Sequence, residues 1–248
     1  MKSIPPPKNS CRAIGGFVVS VELARDSQPS QAATDGRVVM NPRFAQRLRQ
    51  VGINNVNDFL ELPGEVVSGH RDRHVVATRI GGIRCFLKKE HRVSWTTRLN
   101  NWRQGYGWSS LSEREAQTLE QLRRAGVPVP EWIARGSVAD GRSFLLLRGV
   151  SRAITLAQAL DPGSFTSFER WQLARHIGMA IARTHLAGFD APDLSMKHVL
   201  VRTQDRSVVL LDWPRARRLK KLDRHQCLQA LARLHASTPL HLTTTRER

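Results

Sequence analysis

The chain has 248 residues, 40% of them apolar and 24% charged, enough to bury a core as one domain or two small lobes. Lys and Arg number 39 against 21 Asp and Glu, a net charge of +18, which favours anionic partners such as nucleic acid, lipid headgroups or phosphorylated sugars. No apolar run approaches the roughly 20 residues of a membrane span. No secretory signal follows Lys2. Cys11, Cys85 and Cys227 lack zinc or disulfide spacing, so a reducing, cytoplasmic setting is expected.

Residues 1–40 mix Pro, Ser, Gln and Gly around one short apolar run, Gly16-Phe17-Val18-Val19, and are expected to be flexible. Pro42 to Val51 reads as a short helix with Phe44 and Leu48 one turn apart, and Asn55 to Leu62 as another. From Arg73 the pattern turns to β. Arg73 to Ile80 and Ile83 to Lys88 flank Gly81-Gly82, a two-residue hairpin signal. A loop with Trp95, Trp102, Tyr106 and Trp108 follows; its aromatics either stack on a ligand or cover the small lobe.

The next helix is well specified. Ser110-x-x-Glu113 is a capping box, and Gly126, Pro128 and Pro130 stop it. Leu111, Glu115, Leu119 and Leu122 share one face. Glu115 is thus an acid on an apolar stripe and requires a cation, for which Lys88 is the candidate. The alternative is a helix-edge glutamate reaching water. Trp132 to Gly136 and Arg142 to Arg148 form a second strand pair, and residues 145–150 lead out of the first lobe. A long helix runs from Phe168 to Ala187, opened by Thr166-x-x-Glu169 and closed by Gly188. Its His185 reads as a core histidine.

Asp193-Leu194-Ser195-Met196-Lys197-His198 then precedes a hairpin pattern: His198 to Arg202, a polar turn at residues 203–206, and Ser207 to Leu211, ending in Asp212-Trp213. A hairpin returns its second strand to its starting end, so Asp193, His198 and Asp212 should converge. A carboxylate for a hydroxyl proton and ligands for a metal are what phosphoryl transfer needs. Asp212, after four apolar residues, needs a nearby cation, either Mg2+ or Arg215. The last helix, Leu222 to His235, carries Leu228, Leu231 and Leu234 toward the core.

In this order, a strand lysine, a helical glutamate, a long helix and two turn aspartates reproduce the parts of a kinase. The chain resembles the lipopolysaccharide core kinases, the Kdo and heptose kinase family of the protein-kinase-like superfamily. The resemblance rests on Phe86-Leu87-Lys88 with His91, Arg92 and Trp95; on Glu115 to Leu119 with Ala125-Gly126-Val127-Pro128; on Asp193-Leu194-x-x-x-His198; and on Leu211-Asp212-x-x-Arg215-Ala216. It runs from residue 70 to residue 236.

The resemblance implies an α+β, two-lobed protein-kinase-like fold with a truncated C-terminal lobe. Residues 41–148 would form the N-terminal lobe and 149–248 a small helical lobe carrying the catalytic hairpin. ATP and Mg2+ would bind between them. Lys88, held by Glu115, would contact the ATP phosphates. Asp193 would orient or deprotonate the acceptor hydroxyl, and Asp212 would bind Mg2+. His198 stands where protein kinases place a metal-binding Asn. Imidazole is an unusual ligand for Mg2+, so a hydrogen bond from His198 to Asp193 or to a phosphate is the alternative. The implied acceptor is a sugar hydroxyl of a lipopolysaccharide-type glycolipid, and the basic surface suits docking on an anionic membrane face.

Departures leave other readings open. The bracing His-Arg of the catalytic loop is replaced by Ala191-Pro192, the flexible Gly after the metal-binding Asp by Pro214, and the best phosphate-loop candidate is Val67-Ser68-Gly69-His70-Arg71. A pseudokinase that binds nucleotide without turnover is one rival. A nucleic-acid-binding protein is another, though a single Tyr and no recognition motif count against it.

Overall fold

Six antiparallel strands form the main sheet of the computed structural model, which describes residues 36–70 and 72–243. In chain order residues 37–148 contain β1 (Arg37–Met40), α1 (Pro42–Gln50), α2 (Val56–Leu60), β2 (Glu65–His70), β3 (Arg73–Ile80), β4 (Ile83–Glu90), α3 (Trp95–Arg103), α4 (Leu111–Arg124), β5 (Trp132–Ser137) and β6 (Ser143–Arg148). The sheet order is β1-β5-β6-β4-β3-β2. The β3–β4 hairpin turns at Gly81 and Gly82, both at positive φ, where a side chain would be strained. Its register pairs Ile80 with Ile83, Val75 with Lys88 and Arg73 with Glu90.

Strand periodicity divides the sheet into two faces. Phe144 and Leu146 of β6 join Leu87 of β4 in a cluster under α1 and α2, with Phe44, Leu48, Val56 and Phe59. Phe59 stacks on Phe144 with ring centroids 4.4 Å apart. Leu145 and Leu147 point the other way, against Ala116, Leu119 and Leu122 of α4. Lys88, next to Leu87, therefore faces α4. The α4 cap is the expected one: the Ser110 hydroxyl accepts from the Glu113 N–H, and the Glu113 carboxylate accepts from the Ser110 N–H.

The remaining elements are β7 (Ala153–Thr155), α5 (Leu156–Leu160), α6 (Ser167–Leu186), β8 (Phe189–Asp190), β9 (Val199–Arg202), β10 (Val208–Leu210), β11 (Arg217–Arg218) and α7 (Arg224–Ser237). β9 and β10 make the expected hairpin, and β7 adds a third strand on the β9 side. The apolar core of these elements is continuous with the inner face of α4. No helix among the described residues is long and apolar enough to cross a membrane.

Four local expectations change. Residues 37–40, read as part of a flexible segment, are strand β1 paired with β5; the rest of that segment up to residue 35 lies outside the described residues. Residues 67–70 of the phosphate-loop candidate lie in strand β2, with Arg71 outside the described residues. The aromatic loop contains helix α3, capped by Ser94. In α7 the buried contacts come from Ala230 and Leu234, whereas Leu228 and Leu231 are 51% and 44% exposed. Of the three leucines read as core-facing on α7, Leu234 packs on the core and Leu228 and Leu231 do not.

Candidate active site

Lys88 lies at the centre of a charge network joining three parts of the chain. Its Nζ is 2.6 Å from Glu115 Oε1 on α4 and 3.1 Å from Asp212 Oδ1 after β10. The other Glu115 oxygen accepts from Arg73 Nη2 at 2.8 Å. Glu115 is only 1% exposed, so the alternative of a glutamate reaching water is excluded. Two cations and a long contact from the Trp213 N–H surround its carboxylate. Lys89 turns to the opposite side and donates to the Leu62 carbonyl, as alternation along a strand requires.

The hairpin brings the second group of residues together. Leu210 pairs with Val199, and the Leu211 N–H donates to the His198 carbonyl at 2.7 Å. This sets Asp212 beside His198, with His198 Nε2 3.5 Å from Asp212 Oδ2. His198 Nδ1 lies 2.8 Å from the Asp193 carbonyl and 3.1 Å from Ser195 Oγ. A carbonyl only accepts, so Nδ1 carries the proton and Nε2 is the nitrogen aimed at Asp212. The imidazole thus braces the Asp193 loop with one nitrogen and faces the Asp212 carboxylate with the other. Asp193 Oδ1 is 3.2 Å from Arg215 Nη1. Arg215 therefore pairs with Asp193 and not with Asp212, the partner considered for it from the sequence.

Asp212 adopts φ +64°, a left-handed conformation that costs a non-glycine residue roughly 1–2 kcal/mol. Asp tolerates it better than most residues, and such outliers concentrate at functional sites. The conformation turns the carboxylate toward Lys88 while Trp213 goes inward. Trp213 is 3% exposed and donates its indole N–H to the Leu210 carbonyl. Burial pushes the Asp212 carboxyl up, but Lys88, His198 and Arg73 outweigh it and hold the group below its ordinary value. At Arg73 burial favours the neutral form, and Glu115, Glu90 and Asp212 overcome it, so the guanidinium stays charged.

The donor set fits Mg2+. That ion is usually held by one or two carboxylates together with substrate phosphates and water, not by an all-protein cage. Asp212 offers one such carboxylate, and no group of three or more His, Cys, Asp or Glu among the described residues makes a cage. Arg73 was not anticipated, although counting the hairpin back from Gly81-Gly82 puts it opposite Glu90, on the Lys88 face. Arg114 was also missed: it is buried, donates to Asn101 Oδ1 on α3 and to the Ala216 carbonyl, and so ties α3 to the segment after Asp212. His185 is half-buried on α6, its pKa lowered mainly by burial.

The model of the lipopolysaccharide kinase (Kdo/WaaP) family matches residues 57–247. The chain belongs to this family. No curated protein sequence matches it significantly. Among solved structures it is similar to WaaP in complex with acyl carrier protein, with a TM-score of 0.62, 20% identity and 85% of each chain covered. That similarity shows the kinase-like α+β fold. The matched span of the family includes Lys88, Glu115, Asp193, His198 and Asp212, which the fold links by direct contacts.

Proposed function

We propose that this family member transfers the γ-phosphoryl group of ATP to a sugar hydroxyl of a lipopolysaccharide-type glycolipid. The observation that carries the reading is the Lys88–Glu115 bridge with Asp212 on the same ammonium. It joins sheet, helix and hairpin in the arrangement that phosphoryl transfer requires. Lys88 holds the ATP phosphates, and Glu115 positions Lys88. Mg2+, held by Asp212 with the nucleotide phosphates, would neutralise charge on the transferred group. Asp193 accepts the hydroxyl proton as the hydroxyl oxygen bonds to phosphorus and the bond to ADP breaks. His198 orients the Asp193 loop through the Asp193 carbonyl and faces the metal-binding carboxylate.

ATP as phosphoryl donor places the reaction in the cytoplasm. The charge network serves nucleotide binding in either reading; Asp193, held beside it by Arg215 and the His198 loop, is what favours turnover over a pseudokinase. WaaP has been solved with an acyl carrier protein, and we extend that class of partner to this chain, whose net charge of +18 suits a partner of opposite sign.

The test is incubation with labelled ATP, Mg2+ and a lipopolysaccharide extract. Label should enter the glycolipid with wild-type protein and not with Asp193→Asn. Nucleotide binding with no transfer to any glycolipid would return the reading to a pseudokinase.

A further inference from the structure

Helix α3 is oriented against its own composition. It buries Asn101, which is 0% exposed and donates to the Ser109 and Ser110 carbonyls. It exposes Trp95 and Trp102, at 66% and 60%, and Trp108 in the next loop is 56% exposed. Trp95, Leu99 and Trp102 follow the i, i+4, i+7 spacing of one helix face. Fraying does not explain this, because the element is firmly attached. Ser94 caps it, Tyr106 packs in the interior under the Arg114 guanidinium, and the Val93 N–H donates to the Gly141 carbonyl. Exposed apolar surface on a fixed element marks an interaction site.

Along the chain, this segment carries charge of one sign. Between Glu90 and Glu113 there is no acidic residue, while Arg92, Arg98 and Arg103 surround the tryptophans. Arg92 and Arg103 are exposed and Arg98 is half-buried. Tryptophan beside arginine is the chemistry of an interfacial membrane helix: indole rings at headgroup depth and guanidinium groups on anionic lipid phosphates.

We propose that α3 and its following loop form a docking surface for an anionic lipid bilayer. Its placement relates to the cleft through Arg114, which bonds Asn101 of α3 with one nitrogen and the Ala216 carbonyl with another. Ala216 follows Arg215, the partner of Asp193. Through this chain of contacts a helix seated on the membrane would tie the Asp193 segment to a bilayer that presents glycolipid sugars. This purpose rests on the proposed kinase reading; the docking itself does not.

The experiment is co-sedimentation of the full chain with vesicles, in the absence of nucleotide and acceptor. The probes are mixed phosphatidylglycerol–phosphatidylcholine vesicles and pure phosphatidylcholine vesicles. Wild type should prefer the anionic vesicles. Trp95→Ser with Trp102→Ser should lower that partition by ~10-fold or more, and Arg98→Gln with Arg103→Gln by a similar ~10-fold. Trp171→Ser, at an exposed tryptophan on α6, should leave it unchanged. An unchanged urea midpoint verifies that each variant folds.

Equal partition of the Trp double variant and wild type overturns the proposal. So does equal binding to neutral and anionic vesicles. Loss of oligothymidylate or acyl-carrier-protein binding in the double variant, with vesicle binding intact, assigns the face to that partner and also overturns it. Activity is read separately, on a water-soluble sugar acceptor. Normal turnover there with lost vesicle binding supports docking, whereas absent turnover with normal docking rejects only the kinase reading.

Discussion

Replacing Glu115 by Ala tests whether the network around Lys88 is a buried device or a wet surface cluster. The Glu115 carboxylate is 1% exposed and holds Lys88 at 2.6 Å and Arg73 at 2.8 Å. Its removal strands two cations whose side chains are 11% and 17% exposed. Breaking a buried pair costs about 3–5 kcal/mol. Arg73 can recover part of its hydration and Lys88 keeps Asp212 at 3.1 Å, so the loss should lie near the lower end, about 3 kcal/mol. That is a large share of the roughly 5–15 kcal/mol of a typical domain. Arg73→Met leaves Glu115 paired with Lys88 and should cost about half as much, the value of one charged hydrogen bond. Urea unfolding of the two variants and wild type measures the difference. A loss below about 1 kcal/mol for Glu115→Ala, the range of exposed pairs, would refute the burial argument, as would a larger loss in Arg73→Met. Turnover provides the second readout: Lys88→Met should reduce it far more than Lys89→Met, because Lys89 faces away and bonds Leu62.

Asp193→Asn should lower turnover by roughly 10²–10⁴-fold with nearly unchanged nucleotide affinity, as measured by steady-state kinetics and calorimetry. Asp212→Ala should abolish Mg2+-dependent nucleotide binding; the same Mg-ATP affinity in variant and wild type would reject the assignment. Asp212 also links stability to pH: its carboxyl is held below the ordinary 3.8, so its contribution is present above that value and is lost as pH falls below it, and Asp212→Asn should flatten the acid limb of a stability–pH curve. Burial pushes the Cys85 thiol from 9.0 up to about 11. The folded state then binds the proton more tightly, stability falls as pH rises through that interval, and Cys85→Ala should remove that part of the slope. Ser110→Ala should cost about 1 kcal/mol through loss of the α4 cap, visible as a lower urea midpoint.

Local signals in the sequence were sufficient where the physics is local. The Ser110–Glu113 and Thr166–Glu169 boxes placed α4 and α6, because the orphan N–H groups of a helix are satisfied within one turn. Gly81-Gly82 placed the β3–β4 hairpin, because few residues accept positive φ twice in succession. The position of Glu115 on an apolar stripe demanded a cation; alternation allowed only one of Lys88 and Lys89 to face it, and the family resemblance chose Lys88. The return of β10 along β9 brought Asp212 to His198. Contacts over long sequence separation were decided by the tertiary structure. Arg73 shares Glu115 because the hairpin register and the seat of α4 together bring it there. Arg215 takes Asp193 because the left-handed turn at Asp212 directs that carboxylate to Lys88. Residues 37–40 become a strand only because the edge of β5 offers unpaired backbone groups. Helix α3 turns its asparagine inward and its tryptophans outward because Arg114 and the Ser109 and Ser110 carbonyls supply buried polar partners, which no pattern within the helix encodes.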